Sequence, residues 1–160
     1  MKILLDNGHG EETPGKCSPV WPDGSRLREY EFARDIVRRI FDRLHARGVV
    51  AEIVVPELRD VPLYVRSNRV NGICDVAGKS NCLLVSVHAN AGGGTGWEAH
   101  TCLGDSMSDR YSAPVSYTHL TLPTILRVLM SLVHVLLYKK KKKLRNLGNT
   151  SSLTDHADSG

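Results

Sequence analysis

Short apolar runs alternate with stretches of helical periodicity along the first 110 residues or so. Ile3-Leu4-Leu5, closed by Asp6-Asn7-Gly8, reads as a buried strand, and a loop rich in Gly, Pro and Ser follows from Gly8 to Ser25. Phe32, Ile36, Ile40 and Leu44 recur at helical spacing and predict a helix from Leu27 to Arg47, stopped by Gly48. Val49 to Val55 is rich in β-branched residues and predicts a second strand. Asp60 as cap and Pro62 as first residue predict a second helix to Ala77, with Gly78 as its stop. Cys82–Val87 and Gly96–Thr101 read as third and fourth strands. Strands and helices in alternation imply right-handed crossovers and an α/β fold: three layers, with a mostly parallel sheet flanked by helices.

Composition changes this picture little until charge is divided along the chain. At 160 residues a single domain is expected. The net charge of +4 would suit a nucleic-acid partner, but residues 1–113 carry 14 Lys and Arg against 15 Asp and Glu, whereas 114–160 carry 7 against 2. The globular part therefore has no basic footprint, which argues against nucleic acid. Cys17, Cys74, Cys82 and Cys102 form no CxxC pair, so neither a zinc knuckle nor a disulfide framework is indicated, and inert or buried thiols are expected. The first apolar run is too short for a signal peptide and meets Asp6 at once.

One motif misleads. Gly10-Glu11-Glu12-Thr13-Pro14-Gly15-Lys16 has the spacing of a phosphate-binding loop after a strand, yet Cys17 stands where Ser or Thr would hold magnesium. No helix follows either: Ser18-Pro19-Val20-Trp21-Pro22-Asp23-Gly24 cannot be one, and two acids in the loop would repel a nucleotide.

Two histidines carry more weight. His9 and His88 each stand directly after an apolar run, and ligands in an open α/β sheet gather at the carboxyl ends of its strands. Of two carboxylates opening the first helix, Glu29 lies three residues before Phe32 and seven before Ile36, on the sheet-facing stripe. Glu31 shares the solvent face with Asp35 and Arg38. A carboxylate on a buried face must be paired, hydrogen-bonded or bound to metal. Singly, Glu29 would serve as a helix-dipole partner and each histidine as a satisfied loop residue. Together, at one sheet edge, they point to metal.

These residues resemble the zinc-dependent N-acetylmuramoyl-L-alanine amidases of the type 3 class. The likeness rests on Leu4-Leu5-Asp6-Asn7-Gly8-His9-Gly10, Arg28-Glu29-Tyr30 and Ser86-Val87-His88-Ala89-Asn90-Ala91, with support from Pro62-Leu63, Arg66, Asn71 and Gly96-Trp97-Glu98. The resemblance implies that His9, Glu29 and His88 bind Zn2+, leaving a coordination position open for catalysis. It implies hydrolysis of the amide joining N-acetylmuramic acid to L-alanine in peptidoglycan, at the bacterial cell wall, whether secreted, periplasmic or phage-released. Asn90 and Glu98 are candidate substrate or supporting contacts, although packing or loop capping would explain either.

The resemblance stops near residues 109–113. Similar amidases carry a further catalytic glutamate on a late strand, which handles proton transfers around the attacking water. Beyond Ala113 there is no glutamate, and the only acids are Asp155 and Asp158. The expectation is an amidase catalytic domain over 1–113, truncated before its last strands, with an exposed sheet edge and no catalytic glutamate. Val115–Thr124 resembles the one-frame translation of a transposon adapter, so 114–160 is read as a non-native, disordered or helical tail. A membrane anchor competes: Leu120–Tyr138 is 19 mostly apolar residues followed by five lysines. Arg127 opposes it, at about 2.5–3.5 kcal/mol near a bilayer centre. The alternative function is a non-catalytic zinc-binding module attached to membrane or wall. His45, His119, His134 and His156 are expected to have no part in metal binding.

Overall fold

The computed structural model describes residues 1–89, 97–102, 107–121 and 133–138. Its elements are β1 (Lys2–Asp6), α1 (Glu29–His45), β2 (Ala51–Ile53), α2 (Leu63–Ala77), β3 (Cys82–Ala89), β4 (Trp97–His100), α3 (Met107–Thr121) and β5 (Val133–Tyr138). The sheet runs β2-β1-β3-β5-β4. β1 pairs in parallel with both β2 and β3, and β4 with β5, while β3 and β5 are antiparallel. The expected mixed α/β architecture is what forms.

Alternation along the strands divides the core into two. Ile3, Leu5, Leu83 and Val87 point to α1, where they meet Ala33 and Val37, with Phe32, Ile36, Ile40 and Leu44 packed alongside. Leu4 and Cys82 point the other way, to Val54, Val55 and Val61, against Val65, Val70 and Ile73 of the α2 side. The two helices thus cover opposite faces of the β1–β3 pair.

Several boundaries differ from expectation. α1 begins at Glu29 instead of Leu27, because Arg28 is extended and pairs across the loop with Cys17. β3 continues through His88 to Ala89, so that histidine sits in the strand and not after it. The cap of α2 is Pro62, without a side-chain hydrogen bond, and Asp60 does not serve. Cys17 is exposed, Cys82 is buried, and the four cysteines form no disulfide.

The largest difference lies beyond Ala113. A sheet ending at β4 and a wholly disordered or helical tail were expected; instead α3 continues to Thr121 and Val133–Tyr138 enters the sheet between β3 and β4. The segment is mostly apolar and includes two β-branched valines, which suits a strand beside β3. The stretch read as a single apolar span therefore contains a helix end and a strand. Among the described residues no helix is long and apolar enough to cross a membrane.

Candidate metal centre

Three elements deliver the site. β1 ends in Asp6-Asn7-Gly8, which turns His9 over the sheet edge; α1 presents Glu29 from its first residue; β3 presents His88 from its carboxyl end. Their donor atoms all lie within 4.8 Å of one another. Glu29 Oε1 is 3.0 Å from His88 Nδ1 and 3.7 Å from His9 Nε2, and it accepts the Ala89 amide N–H at 3.2 Å. The two rings meet edge-on at 77°, with centroids 5.2 Å apart. Side-chain exposures are 18% for His9, 7% for Glu29 and 21% for His88, so the cluster is sheltered but reachable. Glu31, by contrast, is exposed, as the helical reading of the two carboxylates required.

The loop between β1 and Glu29 is shaped by what surrounds it. Gly8 has φ +70°, and a Cβ there would lie 2.7 Å from His88 Cε1. At Gly10 a Cβ would lie 1.9 Å from the Asp60 amide nitrogen, so backbone passes backbone with no room for a side chain. Arg34, one turn and a half into α1, donates to the His9 carbonyl at 2.5 Å and also to the Glu57 carbonyl. Its guanidinium thus ties the metal-side loop to the segment after β2. No sequence signal marks Arg34, since its acceptors are backbone groups from distant segments.

A second polar cluster lies beneath. Asp6 is buried; its Oδ2 accepts from Ser86 Oγ at 2.6 Å and Arg66 Nη1 at 2.9 Å, and its Oδ1 from the Gly8 amide at 3.3 Å. Asp6 and Ser86 are also register partners between β1 and β3. The strand ends carrying His9 and His88 are therefore pinned to each other and to α2.

Electrostatics prepares the donors. Burial lowers the pKa of His9; Glu29 opposes this, while Lys16 and His88 add to the lowering. The neutral imidazole, with a lone pair to give, is favoured. Burial pushes the Glu29 carboxyl up, but the hydrogen bond from His88 and the nearby His9, His88 and Lys16 outweigh it, so its pKa falls below the ordinary carboxylate value. Two imidazoles and one carboxylate form a donor set suited to a borderline divalent ion.

The other candidates fall elsewhere. Glu98 is exposed on β4, 3.4 Å from His100, and does not join the cluster. It is in register with His134, which is itself opposite His88, so it lies two strands away, roughly 10 Å. Asn90, His119's side chain and His156 lie outside what is described. β5, the strand beside His88, has the sequence Val-His-Val-Leu-Leu-Tyr and carries no carboxylate.

The N-acetylmuramoyl-L-alanine amidase family, Amidase_3, matches residues 3–154, past the point near Ala113 where the motif resemblance stops. Among solved structures, the N-acetylmuramyl-L-alanine amidase Ami1 from Mycobacterium smegmatis is similar at 17% identity and a TM-score of 0.48. The likeness covers 86% of this chain and 80% of that one. No curated protein sequence matches the chain.

Proposed function

We propose that this chain, which belongs to the N-acetylmuramoyl-L-alanine amidase family of peptidoglycan hydrolases, binds Zn2+ through His9, Glu29 and His88. The observation that carries this reading is the convergence of three donors, from two strand ends and a helix start, within 4.8 Å. Zinc held there supplies Lewis acidity for the scissile carbonyl of the amide between N-acetylmuramic acid and L-alanine. Glu29 orients the set: one oxygen holds the His88 ring and the Ala89 amide, so the carboxylate and the β3 strand end move as one. Arg34 fixes the His9 carbonyl, which limits the swing of that imidazole. Asp6, with Arg66 and Ser86, positions the ends of β1 and β3 from below and is assigned no substrate contact.

For the proton-transfer part of the machinery we infer no carboxylate from residues 114–160. A carboxylate is needed to accept and return protons around the attacking water. Residues 114–160 contain no glutamate, and the strand next to His88 holds no acid. We therefore assign the chain tight zinc binding with little amide hydrolysis. Residues 1–113 are assigned to the amidase catalytic domain and 114–160 to an appended, non-native segment. Asn90 and Glu98 are retained as proposed substrate-side residues, without a metal role.

Elemental analysis of the purified chain, with release of stem peptide from purified cell walls, tests the reading. One zinc per chain, lost in His9→Ala and retained in His45→Ala, is expected, with negligible peptide release. Appreciable turnover would overturn the assignment of inactivity, and zinc retention in His9→Ala would overturn the ligand set. The nucleotide sequence after codon 113 tests the boundary: an uninterrupted natural frame through codon 160 would remove it.

A further inference from the structure

The loop from Gly8 to Arg28 does not wander; it folds back beside the metal cluster. Cys17 and Arg28 form an antiparallel bridge, the Ser18 amide donates to the Leu27 carbonyl at 2.9 Å, and the Glu29 amide donates to the Lys16 carbonyl at 3.0 Å. At the tip, the Trp21 amide donates to the Ser25 carbonyl at 2.8 Å, and Asp23 Oδ1 accepts from Ser25 Oγ at 2.6 Å. The result is a short, braced tongue whose base abuts the first residue of α1.

Beside that tongue is a cavity of about 160 Å3, lined among others by Lys16, Arg26, Arg28, Tyr30 and Glu11. Three cations face one acid. Lys16, Arg26 and Arg28 form no ion pair among the described residues; Arg26 instead reaches Cys17 Sγ at 3.6 Å, a weak acceptor that leaves the charge uncompensated. Isolated surface cations are ordinary, but three converging on one concavity focus positive potential within it. No metal donor lines the cavity, but backbone links the two: Arg28 and Tyr30 flank Glu29 in the chain, and the Glu29 amide donates to the Lys16 carbonyl at 3.0 Å.

The substrate class supplies a matching asymmetry. On the sugar side of the scissile amide the lactyl carboxyl is consumed in the bond itself, and the rest is uncharged. On the peptide side, beyond alanine, the stem carries free carboxylates. Arginine and lysine hold such groups by short, charge-assisted hydrogen bonds. We propose that the Lys16–Arg26–Arg28 cavity is a subsite for a stem-peptide carboxylate on the alanine side of the scissile amide, setting the direction in which the substrate lies across the metal. This rests on the amidase reading above, since it takes its ligand from that substrate.

Binding tests it without requiring turnover. Calorimetric titration of the zinc-loaded full chain would compare N-acetylmuramoyl-L-alanyl-D-glutamate with the same compound bearing both glutamyl carboxyls as amides. The acid is expected to bind about tenfold more tightly at low salt, with the gap shrinking as salt rises. Arg26→Gln combined with Arg28→Gln, both at exposed positions, should close most of the gap by weakening the acid alone. Equal affinity of acid and diamide for the unaltered chain would overturn the proposal, as would failure of both to bind. A gap that survives the double substitution would overturn the assignment to these residues. Zinc content is measured on the same samples, so loss of the metal reading registers separately from loss of carboxylate selectivity.

Discussion

Two buried carboxylates stand close together at one edge of the sheet, and their neighbours give them opposite characters. Asp6 is answered from within the protein: a guanidinium, a hydroxyl and an amide N–H all converge on it. Glu29 is answered by two imidazoles and one amide N–H, with Lys16 on the adjoining loop acting on it through its charge. A carboxylate that is neutralised at home serves the fold. One flanked by two imidazoles, which are metal donors, is placed to share a cation from outside. The comparison separates a structural acid from a ligand acid by the chemistry of the company each keeps, although both are buried.

Substitutions should pull the two clusters apart. The largest effect is expected from Glu29→Ala and His9→Ala, which should abolish zinc retention. Saturating zinc should raise the stability of the unaltered chain by about 4 kcal/mol at a thousandfold excess over its dissociation constant, measured by thermal melting. Either variant should lose that increment. Asp6→Ala should behave differently, destabilising the metal-free protein by about 3 kcal/mol because it leaves the Arg66 charge buried and unpaired. Denaturant titration with and without zinc reads the difference; a loss seen only with zinc would erase the distinction drawn between the clusters. Gly8→Ala touches both, because its φ is positive and the new Cβ would crowd His88. A cost of about 1–2 kcal/mol is expected from the backbone alone, together with weaker zinc binding.

The smallest effect belongs to a pair that is not among the metal donors. Hydrogen bonding from Arg69 holds the Glu57 carboxyl down at about 2, below its ordinary value of 4.5. A carboxyl whose folded value is depressed contributes stability that is full above its unfolded value and lost as pH falls toward the folded one. Glu57→Gln should therefore lower the melting temperature slightly at pH 7, since the pair is partly exposed. The difference from the unaltered chain should fade as pH falls between about 4.5 and 2. A difference that persists unchanged at pH 2 would show that packing, not the ion pair, is responsible.

Much of this arrangement was legible in the linear sequence because it follows from local rules. The runs at Ile3–Leu5 and Leu83–Val87 are buried strands, and the spacing of Phe32, Ile36, Ile40 and Leu44 fixed which side of α1 meets the sheet. That spacing alone distinguished Glu29 from Glu31. What was not legible depends on pairing across distance. Lys16 reaches the neighbourhood of Glu29 only because Cys17 bridges to Arg28, and the loop between them shows no periodicity. Arg34 has backbone acceptors in segments that no pattern links to it. Val133–Tyr138 was hidden inside a longer apolar stretch, where hydropathy cannot tell a strand from part of a span; its place beside β3 is set by the vacancy of that edge.

Because Glu29 is the first residue of α1, its accuracy is borrowed from farther along the same rod. Ala33 and Val37, one and two turns on, are wedged against Ile3, Leu5, Leu83 and Val87 with almost no exposure. A helix is stiff over that length, so the carboxylate rides on it like the tip of a short lever whose fulcrum is the core. Trimming a methyl group at the fulcrum tilts the tip. The fidelity of the ion's seat is in this sense an aliphatic property, settled by side chains that never come near a charge.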